Sequence, residues 1–155
     1  MNNLKDFIKT LNILYVEDEL NAREISTKVL KRFFNSVDAK ENGLEGYLAF
    51  KEKYFNNEKY DLIISDINMP KLDGMEMLEK IRGIDKQVPV IFVTARHESD
   101  ILLKAIELQI SSFIIKPLSI DAITEVINKA CEKLFLKNIV IEKNIDFYSM
   151  CEHDL

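Results

Sequence analysis

Short β-branched runs alternate along the chain with longer stretches in which apolar residues recur every three or four positions, a rhythm that predicts βα units around a parallel sheet covered by helices on both faces. The first strand is expected at Asn12–Val16, followed by a helix over Leu20–Phe34 on which Ile25, Val29, Leu30 and Phe33 share a face. A weaker strand near Val37–Lys40 leads through Asn42-Gly43 into a helix from Leu44 to Tyr54. Asp61–Ser65 is apolar at its centre without alternation, which predicts a strand buried on both faces. Pro70 and Gly74 mark a loop before a helix ending near Arg82, and Pro89 precedes a fourth strand, Val90–Thr94. A helix over Ser99–Gln109, a strand at Phe113–Ile115 and a last helix capped by Ser119 complete five βα repeats.

Composition narrows the function classes. The 155 residues are 47% hydrophobic, enough for one domain with a real core. Twenty-one basic residues stand against 26 acidic ones, a net charge of -5, and no block of like charge is dense enough to follow a phosphate backbone, so direct nucleic-acid binding is not expected. The apolar runs, such as Ile13–Val16 and Val90–Val93, are far shorter than the roughly 20 residues that cross a bilayer. The N-terminus, MNNLKDFIKT, lacks the apolar stretch of a secretory signal, so a cytoplasmic protein is expected. Cys131, Cys151, His97 and His153 have neither zinc-site spacing nor the pattern of a disulfide framework.

The chemistry sits where the strands run out. Glu17 and Asp18 follow the first strand, Asp66 the third and Lys116 the fifth, and Thr94 ends the fourth. Ligands of open α/β sheets bind outside these carboxyl ends, where strand order reverses. Three carboxylates gathered there repel by about 4 kcal/mol per close pair at an effective dielectric near 20, which a divalent cation relieves. Hard oxygen ligands without Cys or His suit Mg2+. Lys116 adds a positive charge and Thr94 a hydroxyl donor, and together these make a phosphoryl site. Singly, a strand-end Asp is ordinarily a helix cap, a Lys-Pro pair a surface turn and Phe113 a core aromatic; the joint placement at one end of successive strands is what argues against those readings.

LYVEDE, SDINMPKLDG, VTA and FIIKP stand in the order of the response regulator receiver family, and residues 10 to 136 resemble it. The resemblance implies a doubly wound (βα)5 sheet of flavodoxin-like order 2-1-3-4-5, with Asp66 as phosphoacceptor and Mg2+ held by Glu17, Asp18, Asp66 and the backbone carbonyl of Asn68. It implies that Lys116 and Thr94 assist catalysis, that Thr94 and Phe113 form a switch pair, and that Lys116 is joined to Pro117 by a cis peptide. A sensor histidine kinase or phosphotransfer protein would be the donor, and an unknown downstream protein or output domain the target. Such a module catalyses only its own phosphorylation and dephosphorylation. Asn68 and Arg96 would flank the path of an attacking water. Ser111-Ser112 departs from the small and acidic residues common before the switch aromatic, and Phe113 lacks a hydroxyl.

Two rival readings fit the same strand-end residues less well. An aspartyl-phosphate-type phosphatase wants a second Asp two residues beyond the nucleophile, where Asn68 stands and cannot act as a general acid. A receiver-like scaffold without covalent chemistry leaves the acidic residues and Lys116 unexplained. The domain plan is a lead-in at 1–10, a receiver at 11–136 and a helical extension at 137–155. Ile123, Ile127, Ala130, Leu134, Asn138, Ile141, Ile145 and Tyr148 form a heptad stripe. Two readings stand: a helix that pairs two copies into a homodimer, or early positions facing the chain's own core with a strand or frayed segment at Ile139–Ile141. The helix SDILLKAIELQ likewise carries an apolar arc that suits either a partner or the core.

Overall fold

The computed structural model describes residues 3–95, 99–116 and 119–152; Arg96, His97, Pro117 and His153 lie outside them, as does the side chain of Tyr148. Five parallel strands, β1 (Asn12–Val16), β2 (Ser36–Lys40), β3 (Leu62–Asp66), β4 (Val90–Thr94) and β5 (Ser112–Ile115), form one sheet. Its order is β2-β1-β3-β4-β5. The helices are α1 (Leu4–Ile8), α2 (Leu20–Leu30), α3 (Gly43–Phe55), α4 (Gly74–Arg82), α5 (Ser99–Glu107) and α6 (Ile120–Glu152). Edge strand β2 is half-buried along its length, whereas β3 and β4 are buried at every position, as their uninterrupted apolar runs require.

Successive strand residues point to opposite faces and so build two cores. Ile13, Tyr15, Leu62, Ile64, Ile91, Val93 and Ile114 meet α1, α2 and α6 on one side. Leu14, Val16, Ile63, Val90 and Phe92 meet α3, α4 and α5 on the other. On α5, Ala105 is buried and Ile101 packs against this second core, as does Leu108 just beyond the helix, while Leu102, Leu103 and Ile106 stay exposed, so the helix divides its apolar arc between core and solvent.

Two features depart from the pattern-based expectation, and a third decides between the two readings of the tail. The lead-in contains helix α1, too short at five residues to persist alone. Asn3 caps it by accepting from the Asp6 N–H, and Phe7 anchors it against Phe135 of α6 with ring centroids 5.4 Å apart. Helix α2 ends at Leu30, short of Phe34, because the chain tightens into turns at Arg32 and Phe33 and is then drawn into β2 by bonds from Asn35 and Ser36 to the Leu11 carbonyl. Helix α6 runs unbroken for 33 residues, about 50 Å, so Ile139–Ile141 is helix. Ser119 caps it, accepting from the Ala122 N–H. Ile123, Ile127 and Ala130 of the heptad stripe are buried in the chain's own core, while Ile141 and Ile145 are exposed.

Burial pushes the Cys131 thiol and the Tyr15 hydroxyl each up to about 12, from ordinary values of 9.0 and 10.0. Above pH 9 the unfolded chain gives up these protons and the folded chain keeps them. The stability they contribute is complete at neutral pH and is lost as pH rises from about 9 toward 12. The melting temperature should therefore fall steadily between pH 9 and 12, and a flat profile would contradict the burial of these two groups.

Candidate functional site

The carboxyl ends of β1, β3, β4 and β5 converge at one edge of the sheet. Asp66 is the last residue of β3, paired with Val93 of β4, and only 8% exposed. Its Oδ1 accepts from the Ile67 N–H at 2.7 Å and its Oδ2 from Lys116 Nζ at 2.7 Å. Lys116 follows β5 and reaches Glu17 as well, with Nζ 3.2 Å from Oε2. Glu17 is buried, and its Oε1 accepts from the Glu19 N–H at 3.2 Å.

Lys116 offsets part of the acidic charge. Burial, and then the nearby Asp66 charge, push the Glu17 carboxyl above its ordinary value, against the Glu19 N–H and Lys116. Burial alone would lower Lys116; its bond to Asp66 and the charges of Asp66 and Glu17 outweigh that and hold it above the ordinary lysine value. Lys116 is therefore a full cation at neutral pH, set between two acids.

Glu17, Asp18 and Asp66 each bring a carboxylate oxygen into a group whose members all lie within 4.8 Å of one another, with Asp18 exposed at its mouth. Mg2+ takes oxygen ligands at about 2.0–2.1 Å and keeps several waters. The all-oxygen donor set, its open mouth and a spacing that needs only slight contraction fit that ion.

The loop after β3 is held by backbone contacts. The Gly74 N–H bonds the Ile67 carbonyl at 2.7 Å and the Gly43 N–H bonds the Leu72 carbonyl at 3.1 Å. Lys71 takes a left-handed φ of 66° between them. Asn42 and Asp73 cap α3 and α4 by accepting from the N–H groups of Glu45 and Glu76. The turn between Asp66 and α4 is thereby fixed at both ends.

The residues singled out from sequence divide in placement. Glu17, Asp18, Asp66 and Lys116 come together, and Thr94 is buried at the end of β4. Phe113 is half-buried on β5, its ring 6.2 Å from that of Phe92. Asn68 is exposed in the loop two residues beyond Asp66. Sequence reading missed Arg23, whose Nη1 donates to the carbonyls of Glu17 at 2.9 Å and Asp18 at 3.3 Å. Its signal was a lone cation in the first turn of the helix that follows an acidic pair.

No helix among the described residues is long and apolar enough to cross a membrane. The family model for the response regulator receiver domain matches residues 13–128. The chain is 37% identical over 119 residues to the probable transcriptional regulator ycf29 of Porphyra purpurea, an overlap covering 75% of this chain and 54% of that protein. It is 34% identical over 118 residues to the chemotaxis protein CheY of Bacillus subtilis, covering 76% of this chain and 94% of that one. It thus spans about half the length of the first relative and nearly all of the second. Among solved structures, the CheX-CheY-BeF3-Mg2+ complex from Borrelia burgdorferi superposes with a TM-score of 0.68 at 28% identity, over 76% of this chain and 86% of that one. With a five-stranded sheet in this order, an acidic group at its carboxyl edge and a family match across three quarters of its length, the chain belongs to the response regulator receiver family.

Proposed function

We propose that this chain is a phosphorylation-controlled signalling module that accepts a phosphoryl group on Asp66 from a phosphohistidine of a sensor histidine kinase or phosphotransfer protein, with Mg2+ held by Glu17, Asp18, Asp66 and the Asn68 carbonyl. The observation that carries the reading is the Asp66 carboxylate bonded by Lys116 at 2.7 Å beside two further carboxylates. The solved relative in complex with BeF3 and Mg2+ supports it.

In this reading a carboxylate oxygen of Asp66 attacks phosphorus in line with the donor bond. The P–O bond to Asp66 forms as the bond to the donor breaks, and the donor leaves with that electron pair. Lys116 neutralises charge on a phosphoryl oxygen, and the fixed β3–α4 turn holds the nucleophile still, so positioning and electrostatics supply the acceleration. Mg2+, when bound, offsets the charge of the acidic group and of the incoming phosphoryl oxygens. The product carries about 1.5 to 2 added negative charges. Thr94 draws toward them and Phe113 responds, altering the surface of α5 and β5 where Leu103, Ile106 and Ile115 are exposed. Incubation with Mg2+ and a small-molecule phosphodonor should yield one phosphoryl adduct by intact mass spectrometry. Absence of any adduct with every donor tried would overturn the reading.

For the extension we propose pairing between two copies from Asn138 onward, since Ile123, Ile127 and Ala130 are already used inside the chain. Light scattering should give twice the chain mass, reduced to one by the double change Ile141→Lys and Ile145→Lys. A concentration-independent monomer mass for the unaltered protein would remove the idea.

A further inference from the structure

Arg23 stands in the first turn of α2, and its backbone N–H bonds the carbonyl of the cap residue Glu19 at 2.9 Å. Its position relative to the β1–α2 turn is therefore set by the helix start itself. From there its side chain reaches back, and one guanidinium nitrogen donates to two consecutive carbonyls, those of Glu17 and Asp18. Glu17 has other supports: its N–H bonds the Lys40 carbonyl, and its carboxylate meets the Glu19 N–H and Lys116. Asp18 is exposed, and the described contact that fixes its peptide is the one from Arg23.

Anchoring a residue's carbonyl restricts its ψ, and so restricts where the next peptide runs and where its own Cβ points. Two carbonyls drawn toward α2 by one cation leave the paired carboxylates on fixed bearings. On the reading of the acidic group as the Mg2+ site, we propose that Arg23 is a positioning residue that pre-orients the Glu17 and Asp18 carboxylates toward the ion by clamping the two peptide carbonyls behind them. It touches neither the phosphoryl group nor the ion.

A positional role and a purely electrostatic one have opposite signs. Removing a positive charge near a cation site strengthens cation binding if charge is all that matters. Loosening groups that orient the ligands weakens it, by about tenfold at the lower end of what outer-shell partners contribute. A role in folding alone lowers the melting temperature and leaves the affinity of the folded protein unchanged.

The test is Mg2+ titration calorimetry on the full chain and its Arg23→Gln variant, with melting temperatures measured without Mg2+ and phosphorylation rates followed across Mg2+ concentration. The expected result is a Mg2+ dissociation constant raised about tenfold, with the rate at saturating Mg2+ retained within about twofold. Arg23→Met, read by the same criterion, serves if the Gln variant does not fold. An affinity equal to or tighter than that of the unaltered protein would overturn the proposal. Failure of the unaltered protein itself to bind Mg2+ would instead overturn the reading of the site on which the proposal rests.

Discussion

Replacing Asp66 by Asn is expected to abolish phosphoryl adduct formation while leaving the fold intact. The carboxamide has nearly the same volume, so the packing at the end of β3 is preserved, and its oxygen still accepts from the Ile67 N–H that now binds Oδ1 at 2.7 Å. What disappears is the anionic nucleophile of the proposed reaction, and no geometry compensates for that because a neutral amide does not displace a phosphodonor. Lys116 keeps an acidic partner in Glu17, 3.2 Å away, so the variant does not strand a half-buried cation. Removing the Asp66 charge also removes a cause of the upward push on Glu17. Intact mass spectrometry after treatment with Mg2+ and phosphodonor should show an adduct on the unaltered protein and none on the variant, with matching circular dichroism spectra. An undiminished adduct on Asp66→Asn would place the phosphoryl group elsewhere and sink the assignment.

A large loss of stability is expected from adding one methyl group at Gly74, in the turn that follows Asp66. A Cβ there would lie 2.3 Å from the Asp66 carbonyl oxygen, 3.0 Å from the Ile67 Cα and 3.1 Å from the Phe92 ring. The nearest obstacle is backbone and cannot swing aside. It belongs to Asp66 itself, so relief must come from moving α4 or the end of β3. Overpacking of this kind costs about 3 kcal/mol, or roughly 10 °C in melting temperature for a domain of this size. Gly83→Ala is the matched control, its nearest neighbour being the Lys80 carbonyl at 3.2 Å. Gly74→Ala should melt far below the control and phosphorylate more slowly even where folded. A melting point within about 2 °C of the unaltered protein would show that the turn yields more readily than its contacts imply.

Both effects concern the same turn, and their contrast separates chemistry from scaffold. Asp66→Asn removes a charge from a preserved frame; Gly74→Ala disturbs the frame and leaves the charge. Arg23 falls between the two, acting on the bearings of the acidic pair without being one of the acids.

Much of this protein was legible along the chain because the relevant physics is local. The apolar run at the centre of Asp61–Ser65 identified a strand buried on both faces, since a parallel strand between helices has no polar side to show. Asp66 and Lys116 were legible because they close apolar runs at the same end of the sheet as Glu17, Asp18 and Thr94, a joint placement that isolated helix caps and surface turns do not produce. Tertiary structure alone decided what depends on distant segments meeting. Lys116 bonds Glu17 across 99 residues of sequence and Asp66 across 50, distances that only the crossing order of the sheet makes short. The five residues of α1 form a helix because α6 offers Phe135 to Phe7, and no periodicity over so short a stretch announces that. The heptad stripe of α6 was correctly spaced, but spacing says which residues share a face and not what covers it. The sheet covers Ile123 and Ile127, and the helix runs beyond the sheet before Ile141 and Ile145 are reached.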